Sequence, residues 1–314
     1  MINSLILICS IVFSSLGLSG LSASIDQSYV QQDSRSALAG SLIDLPEIAV
    51  RPTISSAAKD PTIYANNYLL IDSDSSIILS QRGSHDQVPI ASTTKIMTAV
   101  LVLENYSLND IVTISSTAAN QIGADAHFRT GEKITVYELF KTLLIKSANG
   151  AAYAFAEHMN KPGQEGIDQF VKKMNEKALS MGMMNTDYRD PAGLDTTGYS
   201  SSYDLYIITK YALKLPIFGS IVATKTDTAK DVTGTIWHQL DNSNRLVKEW
   251  DYPGILGVKT GYMPEAGHCL VAAAERDGHT LISVVLKTNA DTPTASAEES
   301  RKLLDWGFAN TRWE

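Results

Sequence analysis

Cysteine is nearly absent: the 314 residues hold two, Cys9 and Cys269. Cys9 falls in the first apolar run, so removal of a leader leaves one thiol and excludes an internal disulfide. Cys269 stands in an apolar, strand-like stretch and reads as a small buried hydrophobe. Positive charge is also in short supply. Lys and Arg number 26 against 34 Asp and Glu, giving a net charge of −8, and no basic cluster interrupts this balance, which excludes a nucleic-acid surface. The histidines, His85, His127, His158, His238, His268 and His279, show no metal-ligand spacing, so neither a metal centre nor another cofactor is expected. Long apolar runs are confined to residues 2–21, which carry no charge and precede the small residues Ser22, Ala23 and Ser24. This segment, 1–24, reads as an export leader cut near Ala23 or Ser24. Without a Lys or Arg ahead of the apolar core, an uncleaved N-terminal membrane tether is the alternative. Either way the protein is expected to work outside the cytoplasmic membrane.

What is present describes a globular protein, 44% hydrophobic and 19% charged. Residues 25–62, rich in Ser, Ala, Asp and Pro, read as a spacer, and 63–314 as one catalytic-sized domain. Tyr68 to Ile71 and Ile77 to Leu79 flank a polar turn and predict two strands. Val112 to Ile114 is a short strand candidate. Apolar residues at helical spacing predict helices over Val136–Lys146, Ala151–Met159, Ile167–Met181 and Asp204–Lys214, the last stopped by Pro216. The region 110–215 is therefore a mainly helical lobe. Strands are expected again over 235–240, 257–262, 268–274 and 280–286, pairing with the first hairpin in one antiparallel sheet, and Ala297–Ala309 as a helix closing one face. The fold class is α+β: an antiparallel sheet with flanking helices, a helical lobe, and a cleft between them.

Three short motifs carry chemistry. Ser92 and Lys95 fall near the start of a helix on one face, a hydroxyl beside an amine that can take its proton once burial or a neighbouring positive charge lowers its pKa. A helix cap followed by a solvated lysine fits the same residues, and Ser56-Ala57-Ala58-Lys59 repeats the pattern in the spacer. Ser147-Ala148-Asn149 presents polar side chains from a turn between two helices, or is simply a satisfied turn. Lys259-Thr260-Gly261 ends an apolar strand, where a residue without a side chain lets a peptide backbone approach an edge strand.

In that order, Ser92-Thr93-Thr94-Lys95, Ser147-Ala148-Asn149 and Lys259-Thr260-Gly261 resemble the three motifs of the penicillin-recognising serine transferases and hydrolases. Pro89-Ile90-Ala91-Ser92, Ile145-Lys146-Ser147-Ala148-Asn149-Gly150, Gly257-Val258-Lys259-Thr260-Gly261-Tyr262 and Leu303-Leu304-Asp305-Trp306-Gly307-Phe308 narrow the resemblance. They look like the low-molecular-mass penicillin-binding proteins, the D-alanyl-D-alanine carboxypeptidases and endopeptidases, over roughly residues 64–310. The resemblance implies Ser92 as nucleophile, Lys95 as its base and Ser147 as a proton relay. Asn149, Lys259, Thr260 and Gly261 would bind substrate, and the N–H groups of Ser92 and Tyr262 would form an oxyanion hole. It implies peptidoglycan stem peptides as substrates and β-lactams as covalent inhibitors.

Departures from the family pattern are equally specific. No C-terminal amphipathic anchor is expected. Asp190-Pro191-Ala192-Gly193 stands where the family usually has Asn-Pro-x-Gly. The arginine that often precedes the closing helix and binds the substrate's free carboxylate is missing from 288–299, which favours an endopeptidase as the alternative to a carboxypeptidase. The region 187–195 offers no deacylating glutamate of the β-lactamase kind.

Overall fold

Leu69 and Ile71 project from one face of strand β2 (Ala65–Asp72), Tyr68 and Leu70 from the other, and all four are buried. Side chains alternate across a strand, so an unbroken apolar run needs cover on both faces. The computed structural model, which describes residues 51–159, 161–288, 290 and 292–314, supplies that cover. The expected leader and most of the expected spacer lie outside the described residues. β2 joins β3 (Ile78–Arg82), β8 (Ile255–Met263), β9 (Gly267–Arg276) and β10 (His279–Thr288) in a five-stranded antiparallel sheet of order β3-β2-β10-β9-β8. Leu270, Ala272 and Ala274 of β9 pack with Leu303 and Leu304 of helix α9 (Ala295–Asn310), whereas Val271 and Ala273 belong to the core shared with the helical lobe.

Helix α1 (Lys95–Asn105) is apolar nearly all round, the pattern of a helix enclosed by others, and its first eight residues are buried. Around it lie α3 (Val136–Leu144), α4 (Asn149–Met159), α5 (Gln164–Ser180) and α6 (Ser202–Leu213); the short α2 (Ser116–Ala119) packs on α4, and β4 (Ile111–Thr113) pairs with β5 (Lys133–Thr135). Thr135 caps α3 by accepting from the Glu138 N–H, as Ser201 does for α6 with Asp204. Pro216 occupies the first turn of a further helix, α7 (Pro216–Val222), instead of only ending α6. No single helix among the described residues is long and apolar enough to cross a membrane.

Two strand assignments differ from expectation. The strand expected near 235–240 is β7 (Trp237–Asp241), but it pairs with β6 (Thr226–Lys230) in a separate ribbon and not with the main sheet. Within the stretch read as spacer, Pro52–Ile54 forms β1, paired with β11 (Thr311–Trp313).

The ribbon is pinned to the lobe by His238. Its Nδ1 lies 2.7 Å from the Ala126 carbonyl and its Nε2 2.6 Å from Glu132 Oε1, both buried. Two acceptors facing both ring nitrogens call for the imidazolium. Burial opposes that charge, but the Glu132 hydrogen bond and charge, aided by the Ala126 carbonyl, outweigh it and raise the His238 pKa above 6.5. A raised folded-state pKa gives stability that is complete below the unfolded value and lost as pH rises through the folded one. Urea unfolding of wild type and His238→Gln should therefore show a wild-type advantage at pH 6 that shrinks by pH 9. An advantage constant with pH would refute the imidazolium.

Candidate active site

The residues between Ile90 and Lys95 form a 3-10 turn, Ala91–Thr94, leading directly into α1. Ala91 holds a left-handed backbone (φ +47°), costly for a residue with a Cβ and sustained only where surroundings impose it. The surroundings here are two glycines. A Cβ on Gly193 would lie 2.0 Å from the Ala91 carbonyl oxygen, and one on Gly261 would lie 2.9 Å from the Ile90 oxygen and 3.1 Å from the Ser92 nitrogen. The Ser92 turn is gripped between the 190–195 loop and strand β8.

The 190–195 loop is rigid because the Asp190 carboxylate accepts four backbone N–H groups, from Ala192, Gly193, Leu194 and Asp195, at 2.6–2.8 Å. One acidic side chain thus satisfies a turn in which no regular element does so. The same loop turns the Ala192 carbonyl toward Lys95.

Lys95 is fully buried, and its Nζ has three neighbours: Ser92 Oγ at 2.8 Å, Asn149 Oδ1 at 2.7 Å and the Ala192 oxygen at 2.9 Å. The Asn149 orientation follows from its other end, where Nδ2 donates to the Ile122 carbonyl. Two of the three neighbours of Nζ are therefore pure acceptors. A neutral amine here would give its two hydrogens to them and face the Ser92 hydroxyl with its lone pair. Electrostatics favours the same state. Burial, then the charge of Lys259, push the Lys95 pKa well below its ordinary value, and Asp190 only partly opposes them. The free N–H end of α1 also disfavours a cation there.

Ser147 stands in the turn between α3 and α4, again left-handed (φ +64°). Lys259, from β8 on the opposite wall, donates to Ser147 Oγ at 2.8 Å and to the Thr260 carbonyl at 3.1 Å. It is buried, which lowers its pKa to about 7. Asn149, expected to bind substrate, also touches the site's own residues, with Oδ1 on Lys95 and Nδ2 on the Ile122 carbonyl. Thr260 Oγ1 lies 2.6 Å from Ser243 Oγ, and the exposed Tyr262 ring stacks on His268 at 4.3 Å. Ser92, Ser147, Asn149, Thr260, Gly261 and Tyr262 all border one cleft of about 460 Å³. Lys95 and Lys259 lie beneath it. Among the described residues no cluster of His, Cys, Asp or Glu is able to hold a metal ion.

Gly193, Ser243 and Arg245 also line this cleft, and none was expected there from sequence. For Gly193 a signal existed, since Asp-Pro-Ala-Gly reads as a rigid turn. For Ser243 and Arg245 there was none.

A serine hydroxyl facing a buried lysine amine, between an antiparallel sheet and a helical lobe, is the arrangement of the penicillin-recognising serine enzymes. Residues 54–290 match the D-alanyl-D-alanine carboxypeptidase family, and the chain belongs to it. It is 38% identical over 252 residues to the D-alanyl-D-alanine carboxypeptidase DacF of Bacillus subtilis, covering 78% of this chain and 62% of that relative. The chain thus spans a little under two thirds of that protein's length. With a D-alanyl-D-alanine endopeptidase of Pseudomonas aeruginosa it shares 32% identity over 246 residues, 76% of each chain. The crystal structure of the Streptomyces K15 DD-transpeptidase superposes with a TM-score of 0.75 at 33% identity, covering 80% of this chain and all of that one.

Proposed function

We propose that the protein is a serine-type D-alanyl-D-alanine carboxypeptidase that removes the terminal D-alanine from peptidoglycan pentapeptides through an acyl-enzyme on Ser92. The observation that carries this reading is the buried Lys95 amine, whose Nζ lies 2.8 Å from Ser92 Oγ, with Asn149 Oδ1 at 2.7 Å and the Ala192 carbonyl at 2.9 Å on its other sides.

Ser92 Oγ attacks the carbonyl of the penultimate D-alanine while its proton passes to Lys95. The negative oxygen is received by the N–H groups of Ser92 and Tyr262, which act where charge develops. Collapse breaks the C–N bond. Ser147, held by Lys259, gives its hydroxyl proton to the departing amine and recovers one through the lysines. Water then adds to the Ser92 ester, and its departure as the acid restores the serine. The second Nδ2 hydrogen of Asn149 is left for a substrate carbonyl, and β8 offers its edge to the extended peptide. A β-lactam follows the first step and stays attached. The substrate places this work outside the cytoplasmic membrane, in the periplasm or its equivalent, with the N-terminus as export leader or tether.

A second reading, an endopeptidase cutting D-alanyl cross-links, is favoured by the lack of arginine in 288–299 and by likeness to the Pseudomonas endopeptidase. Mass spectrometry of defined muropeptides distinguishes them. An uncross-linked pentapeptide should lose one D-alanine, and a cross-linked dimer should persist. The opposite pattern selects the endopeptidase. Ser92→Ala should lose all turnover and all covalent penicillin adduct, and residual activity in it would sink the mechanism.

A further inference from the structure

Residues 121–130, between the short helix α2 and strand β5, contain no helix or strand, and most of them are exposed. Gly123 and Ala124 nonetheless line the cleft, and the loop holds Asn149 by two backbone carbonyls. The Ala124 oxygen accepts the Asn149 N–H at 2.8 Å, and the Ile122 oxygen accepts from Nδ2. Gly123 (φ +87°) permits this close approach, since a Cβ there would lie 2.9 Å from Nδ2.

An exposed loop without regular structure keeps one shape only where something anchors it. The two buried residues of 121–130 are Ala126 and Phe128, and both meet His238. The Ala126 carbonyl accepts from His238 Nδ1 at 2.7 Å, and the Phe128 ring centre lies 4.9 Å from that of the imidazole. His238 is fixed from its other side by Glu132 Oε1 at 2.6 Å, and the second Glu132 oxygen accepts the Arg129 N–H at 3.0 Å, which closes the same loop. Ala126 follows Ala124 by only two residues, so the carbonyl held by His238 and the one held by Asn149 move together.

The orientation of Asn149 depends on this hold. The two ends of an amide are nearly equal in size, and only Nδ2 can donate to the Ile122 carbonyl. Turned over, the amide would aim N–H groups at the Lys95 amine and leave it one acceptor short.

We propose that His238 is a positioning residue for the reaction on Ser92: by holding Ala126 it keeps the Ile122 and Ala124 carbonyls on Asn149, and thereby keeps Asn149 Oδ1 on Lys95. This rests on the acyl-enzyme reading above. Loss of the anchor misplaces the base while every group that touches substrate is still present, and a displacement of about 1 Å costs up to about 100-fold in rate.

The test is the second-order rate at which a fluorescent penicillin labels the full chain. Counted in bonds from Cβ, a glutamine amide nitrogen matches Nε2 of histidine, and an asparagine amide nitrogen matches Nδ1. His238→Gln therefore keeps a donor toward Glu132 and loses the one toward Ala126; labelling should fall by roughly 10- to 100-fold. His238→Asn keeps the donor toward Ala126 and should label within about threefold of wild type, although it leaves Glu132 unpaired and should be the less stable of the two in urea. On an Asn149→Ala background, His238→Gln should add less than about a threefold loss, because the group it acts through is gone. Either His238 variant carries the test if the other does not fold. Undiminished labelling by His238→Gln, a tenfold or greater loss in His238→Asn, or a loss that persists in full on Asn149→Ala overturns the role of His238. A wild type that forms no penicillin adduct overturns the acyl-enzyme reading itself, and the inference with it.

Discussion

Lys95→Arg should abolish acylation almost as completely as loss of the side chain, although it keeps length and positive charge. The proposed mechanism uses Lys95 as a neutral amine: Asn149 Oδ1 and the Ala192 carbonyl accept its hydrogens, and the third direction is left for the Ser92 proton. Arginine is protonated at any pH a protein survives and has no lone pair to offer. Removing a positioned base costs about 10²- to 10⁴-fold, and the second-order rate of labelling by a fluorescent penicillin should fall within that range. Lys95→Met provides the comparison, with a similar volume and no charge to bury. If Lys95→Arg labels within tenfold of wild type, the lone-pair argument is wrong. Raising pH does not rescue it, whereas the wild-type rate should fall at low pH as Lys95, held well below its ordinary pKa by burial and by Lys259, becomes protonated.

Gly193→Ala carries the second large effect, and no contact with substrate is involved. Gly193 has φ +78°, and the added methyl would meet the Ala91 oxygen at 2.0 Å and Thr94 Oγ1 at 2.7 Å. Backbone cannot yield as a flexible side-chain tip does, so the Ser92 turn must move. A loss of about 3 kcal/mol or more in unfolding free energy is expected, together with loss of penicillin labelling. Gly131→Ala is the control. Gly131 has a similar φ of +84° and no atom within 4 Å of the added carbon, so it should cost about 1 kcal/mol and label normally. Normal labelling by Gly193→Ala would show that the turn tolerates displacement.

The motif residues were legible because the proposed acyl transfer needs particular side chains at fixed places, and because the flanking apolar periodicity assigned them to a helix start, a turn and a strand, although Lys259–Gly261 lie within β8 and not at its end as expected. Backbone contributions were not. The Ala192 carbonyl is invisible as a residue type, yet it helps decide the state of Lys95. Arg245 was unreadable for a related reason. Nothing in the sequence says that the four-residue helix α8 (Arg245–Lys248), ahead of β8, leans against the loop ahead of α9. Strand β6, Thr226–Lys230, has little apolar alternation, because it is held by its partner β7 and by Lys141, which bonds the Thr228 carbonyl at 2.8 Å and the Asp227 carboxylate at 3.0 Å. Without β6 in view, β7 looked like another strand of the main sheet. The β1–β11 pairing joins segments of three residues each, too short for a period to be read. The central strands, by contrast, carry apolar runs covered by a core on each face, and there the expected antiparallel pairing is found.

Strand β8 ends the main sheet, so one of its long sides has no neighbouring strand among the described residues. An edge that the proposed function keeps open to a peptide is open to other strands as well, including β8 of a second copy, and exposed edges are where sheets begin to aggregate. The protein limits this hazard by geometry. An irregularity between Ile255 and Gly257 breaks the register at one end, and α7 and α8 pack against the strand. What remains for docking is the stretch Lys259–Met263, shorter than the six or seven residues that self-templating fibres typically need. The aperture left for the proposed stem peptide is too short to seed a fibril.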